Sequence, residues 1–318
     1  MKAMQLTELG APLQMRVVEK PVPGPGEVLV RVAACGLNFG DLLIIKGTYQ
    51  EKPQLPATLG MEIAGVVEAA GEGAAMAPGT RIASYCGFGG LAEYAVLPEA
   101  ICVPIPDAMS FTDAAAFLVA YGTSHVALDY KARLQPGERL LVLGAAGGVG
   151  LTAVELGTLM GAEVIACARG SAKLEVAQKA GATHLIDSEQ NDLKAAVKAL
   201  GGADVVYDPV GGDLFDAALR ACNHAARVLP MGFASGTVPQ IPANYLLVKN
   251  ISLHGLYWGG YARLNPSVLT DSFKTLLGWF AAGKLRPHVS HVMPLGAANE
   301  ALDLLRDRTA TGKIVITL

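Results

Sequence analysis

From Pro136 to about residue 260 the chain alternates short apolar runs with segments whose apolar residues recur at helical spacing. Strands are predicted at Arg139–Leu143, Glu163–Ala168, His184–Ile186, Asp204–Tyr207, Arg227–Met231 and Ile251–His254, with helices over Lys173–Ala180, Leu193–Leu200 and Leu214–Ala221 between them. Continuous Val/Leu/Ile runs joined by helices belong to a parallel sheet covered on both faces, and about six such strands make a complete doubly wound sheet. Before residue 120 the pattern changes. Turn signals recur at Pro23-Gly24-Pro25-Gly26, Pro53, Pro56, Pro78-Gly79 and Gly87 to Gly90, and Val28–Val32 shows the clearest period of two. That is the pattern of antiparallel strands in a small barrel-like domain. After Gly259 come one helical segment, Val268–Phe280, then Ala301–Leu305 and a last strand, Lys313–Thr317. The expected organisation is an α/β chain in which residues 123–259 are inserted into a domain made of 1–122 and 260–318.

The most informative stretch is Leu140–Gly150, an apolar run ending in a glycine cluster, followed by a helical pattern over Leu151–Leu159. Strand, tight turn and helix in that order, with Ala145-x-Gly147-x-x-Gly150, make the dinucleotide fingerprint with alanine in its first glycine position. Gly147 would let the backbone approach a pyrophosphate, and the helix start would offer it free N–H groups; Ala145, Ala146, Gly147, Gly148 and Val149 are the candidate contacts. An NAD site usually closes its second strand with Asp or Glu. Here that strand ends Cys167-Ala168-Arg169-Gly170-Ser171-Ala172-Lys173, with no acid in reach. A 2′-phosphate would be held by a guanidinium, a hydroxyl and an ammonium, which Arg169, Ser171 and Lys173 supply. The expected cofactor is NADPH.

Composition narrows the class further. Hydrophobic residues make up 52% of the 318, charged residues 17%, and the net charge is −3. Such a chain has material for two sizeable cores and lacks the basic footprint of a nucleic-acid binder. The opening residues lack the apolar segment of a signal peptide, and the longest apolar run is too short and too glycine-broken to span a bilayer, so a cytoplasmic protein with no membrane span is expected. Cys35, Cys86, Cys102, Cys167 and Cys222 are scattered, with no Cys-x-x-Cys pair. Neither a disulfide framework nor a structural zinc lobe is expected from them.

Taken end to end, the chain resembles the medium-chain dehydrogenase/reductase superfamily, and within it the zinc-free NADPH:quinone oxidoreductases. The resemblance rests on Gly26-Glu27-Val28-Leu29-Val30, Cys35-Gly36-Leu37-Asn38-Phe39, Gly60-Met61-Glu62-Ile63-Ala64-Gly65-Val66-Val67, the glycine turn, Asp208-Pro209-Val210-Gly211-Gly212 and the terminal Gly312-Lys313-Ile314-Val315. It implies a Rossmann domain inserted into a GroES-like, mainly antiparallel β-barrel domain. It also implies a homodimer joined through the edge strand around Asn250–Leu256. The positions that hold catalytic zinc in other branches correspond here to Asn38, Met61 and Val119, which offer no thiolate or imidazole, so no metal site is expected. His288 and His291 are read as structural or surface residues.

By the same resemblance Asn38 would donate its amide to a substrate carbonyl, Tyr49 would line the substrate pocket, and Thr123 would contact the nicotinamide. Each also has a plainer reading: Asn38 or Asp41 as a cap on a short helix at Leu42–Lys46, Tyr49 closing a loop, and Thr123 starting a helix. Asp41 is assigned to capping. Ser188 stands where relatives often carry a tyrosine near the adenine, and further cofactor contacts would fall at Gly232, Phe233, Leu256, Tyr257 and Trp258. The expected activity is hydride transfer from NADPH to a quinone or similar conjugated carbonyl. Reduction of an enone or enoyl thioester is the alternative within the superfamily, and a non-catalytic NADPH-binding redox sensor is the alternative of another class.

Overall fold

The computed structural model describes all 318 residues. Their contacts divide the chain into two units, Met1–Val119 with Arg286–Leu318, and Ala120–Leu285.

In the Ala120–Leu285 unit six strands form one parallel sheet in the order His184–Asp187, Glu163–Ala168, Arg139–Leu143, Ala203–Asp208, Cys222–Pro230, Ser252–Leu253. Numbered by sequence this is 3-2-1-4-5-6, the doubly wound dinucleotide order. Strands 1 and 4 pair at the centre and the chain leaves them in opposite directions, toward strands 2 and 5, so the loops after Leu143 and Asp208 flank the topological switch point where ligands bind in such sheets. The three strands Glu163–Ala168, Arg139–Leu143 and Ala203–Asp208 are buried almost throughout, which is why they read as unbroken apolar runs rather than alternating ones. The edge strand is shorter than its sequence pattern: only Ser252 and Leu253 pair, with Arg227 and Val228.

The segment Pro266–Ala281, a 16-residue helix, packs with this unit, so the boundaries fall at Ala120 and Arg286 rather than at 123 and 260. The reason is side-chain chemistry that periodicity does not display. Ser272 Oγ lies 3.0 Å from His125 Nδ1, and the ring of Trp279 meets His125 edge to face. Phe273 meets Trp258 in the same way. Burial lowers the His125 pKa, keeping that imidazole neutral in its apolar setting.

The other unit is built on Glu27–Gly36, which pairs with Glu62–Ala70 along its length, with Tyr94–Pro98 at its first half and with Lys313–Thr317 at its end. A strand so surrounded is buried on both faces. Val28, Leu29, Val30 and Val32 are all core residues and only Arg31 is exposed, which departs from the half-buried alternation expected from the sequence. The last strand, Lys313–Thr317, also pairs in parallel with Val289–Pro294. Lys2–Leu6 and Gln14–Val17 belong to a separate three-stranded sheet, whereas the last strand of the chain joins the sheet built on Glu27–Gly36. His288 and His291 carry ordinary side-chain hydrogen bonds there, to Thr311 and Ser290.

Candidate functional site

The glycine turn sits where the first strand of the parallel sheet ends. Gly144 adopts φ +60°, and Gly147 is the N-cap of the helix Gly148–Leu159 with no side chain capping it. The first-turn amides are thus left for an external acceptor, and the dipole end favours an anion. Gly150 is a packing requirement: a Cβ there would lie 2.2 Å from the carbonyl oxygen of Gly144. Around Gly147 the nearest neighbour of such a Cβ is that same oxygen at 3.4 Å, so the approach over this residue is open. The turn therefore has the shape and the donors that a diphosphate needs.

Arg169 is exposed at the end of the second strand, Gly170 takes φ +74°, and Ser171 opens the helix Ser171–Lys179, which carries the half-buried Lys173 in its first turn. One expectation is corrected here. An acid is in reach, delivered by the neighbouring strand: Asp187 pairs in register with Ala168, and its Oδ1 accepts from the amides of Gly170 (3.2 Å) and Glu189 (3.0 Å). Parallel pairing brings together residues nineteen apart, which inspection along the chain alone does not reveal. Ser188 follows it, its amide bonded to Ala168 O.

At the later strand ends Gly232 donates to Asp208 O at 3.4 Å, and Phe233 is exposed. Asp208 is fully buried and organises its own loop, accepting from Val210 N (2.7 Å) and Gly211 N (2.9 Å). Leu256 and Tyr257 are half-buried, whereas Trp258 is buried against the helix Leu118–His125. A Cβ on Gly122 would sit 2.8 Å from the indole ring, so only glycine allows that contact. Thr123 is the next residue, half-buried.

In the other unit Asn38 precedes the helix Phe39–Ile45, and its backbone N–H donates to Asp41 Oδ2 at 2.8 Å, so Asp41 does cap this helix. The Asn38 side chain belongs to a buried charged cluster. Lys313 Nζ donates to Glu62 Oε1 (2.5 Å), Asn38 Oδ1 (2.7 Å) and Leu37 O (2.7 Å), three acceptors for three protons. Asn38 Nδ2 in turn donates to Glu62 Oε1 (3.0 Å) and Gly36 O (3.2 Å). Both amide protons assigned by the sequence to a substrate are thus already donated within the unit. Glu62 Oε2 accepts from Val119 N at 3.0 Å. Burial drives the Asp41 carboxyl up to about 7, opposed by the Asn38 amide and the Lys313 ammonium.

Tyr49 is half-buried and hydrogen-bonded to Tyr85, with its ring edge lying against Gly40. Its phenol pKa is raised, by burial first and by Glu51 second, so it stays protonated at neutral pH. In the sequence Glu62 and Lys313 stand out only as members of the Gly60–Val67 and Gly312–Val315 motifs. The residues that signal their pairing, an acid and a base inside apolar strands, lie 251 positions apart.

Comparisons with known proteins agree with this geometry. Residues 24–107 match the alcohol dehydrogenase GroES-like domain, and residues 148–281 match the zinc-binding dehydrogenase domain. The quinone oxidoreductase-like protein 2 homolog of Nematostella vectensis is 43% identical over 326 residues, covering 99% of this chain and 88% of the relative. Among solved structures, the Escherichia coli quinone oxidoreductase complexed with NADPH superposes with a TM-score of 0.94 at 27% identity, covering all of both chains. The quinone oxidoreductase of Thermus thermophilus, also determined with NADPH, gives 0.88 at 33% identity with the same coverage. The chain belongs to the medium-chain dehydrogenase/reductase superfamily, among its quinone oxidoreductase-like members.

Proposed function

We propose that this protein is an NADPH-dependent reductase that passes hydride to a quinone or a similar conjugated carbonyl without catalytic zinc. The observation that carries it is the uncapped start of the helix Gly148–Leu159 beneath an open glycine turn at the switch point of the sheet. The named activities of its relatives support the substrate class, and the NADPH in two of the solved neighbours supports the cofactor. Bound there, the cofactor supplies the hydride and the redox chemistry.

The chain's own residues then bind and orient. The turn would offer the N–H groups of Ala146, Gly148 and Val149 to the diphosphate, since the amides of Ala145 and Gly147 are already donated to Cys167 O and Gly144 O, and Arg169, Ser171 and Lys173 would hold the 2′-phosphate. Thr123, with Trp258 packed beside it at Gly122, orients the nicotinamide end. Tyr49, whose phenol stays protonated at neutral pH, is the residue proposed to hold a proton for a substrate oxygen. Asn38, with its amide held by Lys313 and Glu62, fixes the polarity and shape of the backbone around Gly36–Asp41. Asn38, Met61 and Val119 provide no ligand set for zinc, and no cluster of three His, Cys, Asp or Glu side chains is placed to hold a metal.

A panel of quinones, enones and enoyl thioesters with NADPH, followed by cofactor oxidation, tests this assignment. Turnover of quinones is expected. Tight NADPH binding without turnover of any member would contradict it and favour a sensor.

Assembly is proposed to be a two-fold dimer through the edge strand. Ser252–Leu253 ends the parallel sheet, and Leu247 and Val248 on the preceding helix are 79% and 67% exposed. The His254 amide is donated inward to Val228 O, so alternation turns the Leu253 N–H outward. Leu253→Pro is therefore expected to give monomers in sedimentation, and an undiminished dimer would count against the interface. No helix of the protein is long and apolar enough to cross a membrane.

A further inference from the structure

The helix bearing Thr123 and the helix that begins at the glycine turn meet along a seam of buried polar groups in an otherwise aliphatic core. Ser124, fully buried, donates to Val149 O at 2.9 Å, inside the first turn of the nucleotide helix. Its oxygen lies 2.8 Å from Thr152 Oγ1 and 3.0 Å from Tyr207 Oη. With its own proton given to Val149 O, Ser124 can accept from the Tyr207 hydroxyl, while the single proton of Thr152 is shared between Ser124 and nearby backbone carbonyls. Thr152 Oγ1 also reaches Ala120 O at 3.1 Å, and Tyr121 Oη lies 2.5 Å from Glu155 Oε2. Tyr207 is fully buried on the fourth strand, one residue before Asp208, and burial raises its pKa so that the phenol stays a donor.

Apolar contacts would hold these two helices together equally well, but they tolerate sliding. Directional hydrogen bonds in a low-dielectric interior select one register, and every hydroxyl here has a partner. The two elements they lock carry opposite ends of the same cofactor: the diphosphate turn at Val149 and the nicotinamide side at Thr123. We infer that Ser124 and Tyr207, supported by Thr152, are positioning residues that set the distance between the diphosphate turn and the nicotinamide contact. This rests on the NADPH reading above. Nothing in the sequence hints at it, since a serine, a threonine and a tyrosine separated by 28 and 55 positions look like ordinary core substitutions.

The test separates the two ends of the cofactor. Ser124→Ala and Tyr207→Phe, the second preserving side-chain shape, are titrated with NADPH and with 2′-phospho-ADP-ribose, which lacks the nicotinamide. Val197→Ala, in the same unit's core, serves as a control for general destabilisation. Both seam variants are expected to bind NADPH about fivefold more weakly, in line with loss of one hydrogen bond, while the fragment binds as before. Their kcat is expected to fall with the KM for quinone unchanged. The Val197→Ala control should lower the melting temperature and leave both affinities alone. Equal loss for NADPH and fragment, loss in neither, or the same NADPH loss in Val197→Ala would overturn the inference alone. Failure of the unsubstituted protein to bind NADPH would overturn the cofactor reading and this inference with it.

Discussion

Replacing Lys313 with Met is expected to destabilise the protein by about 3–5 kcal/mol, the cost of leaving a buried carboxylate without its partner. Lys313 and Glu62 are 5% and 1% exposed, so neither charge can turn to solvent. Glu62 would keep only the Val119 and Asn38 donors, and Asn38 Oδ1 would lose the ammonium that fixes its orientation. The pair is not thereby a large net source of stability, because both ions are desolvated in the folded state. The double variant Glu62→Gln/Lys313→Met should therefore recover much of the loss, whereas additive penalties would mean that the two do not act as a pair. Urea unfolding of Lys313→Met, Glu62→Gln and the double variant measures this. A Lys313→Met protein within about 1 kcal/mol of the original, which is surface-residue behaviour, would show that the cluster does not persist in solution.

The second large effect concerns cofactor choice. Replacing Arg169 and Lys173 together with Ala should weaken NADPH binding by about 3 kcal/mol, the lower end for two charge-assisted contacts, since Arg169 is exposed and screened. NADH, which lacks the 2′-phosphate, should change little. Asp187 sharpens the comparison. Its carboxylate accepts from the Gly170 amide at the adjoining strand end, beside Arg169 in sequence. If Asp187 rather than the two cations governs that end of the site, the double variant loses equally with both cofactors, and the assignment to NADPH fails. Titrating both dinucleotides against both proteins decides it.

The parallel sheet was legible in the sequence because its central strands are buried on both faces and so appear as unbroken apolar runs. Arg139–Leu143, Glu163–Ala168 and Lys313–Thr317 fall at the expected residues. The glycine turn was legible because its geometry excludes side chains at Gly150, a constraint written directly in residue type. What was hidden depends on neighbours distant in sequence. Asp187 reaches Gly170 only through strand pairing, and the helix Pro266–Ala281 joins the nucleotide unit through Ser272, Phe273 and Trp279. Its apolar stripe would have suited either unit. Asn38 read as a free amide because nothing local shows that Lys313, 275 residues on, takes its oxygen.

The proposed reaction is hydride transfer from NADPH to a conjugated carbonyl without a metal. Its most direct test is single-turnover oxidation of bound NADPH by a quinone, using protein treated with chelator and shown to be metal-free. NADPH deuterated at the transferred position provides the comparison. The expected result is an undiminished rate with a primary isotope effect. Activity lost on chelation and restored by zinc, or quinone-independent silence of the bound cofactor, would contradict the account.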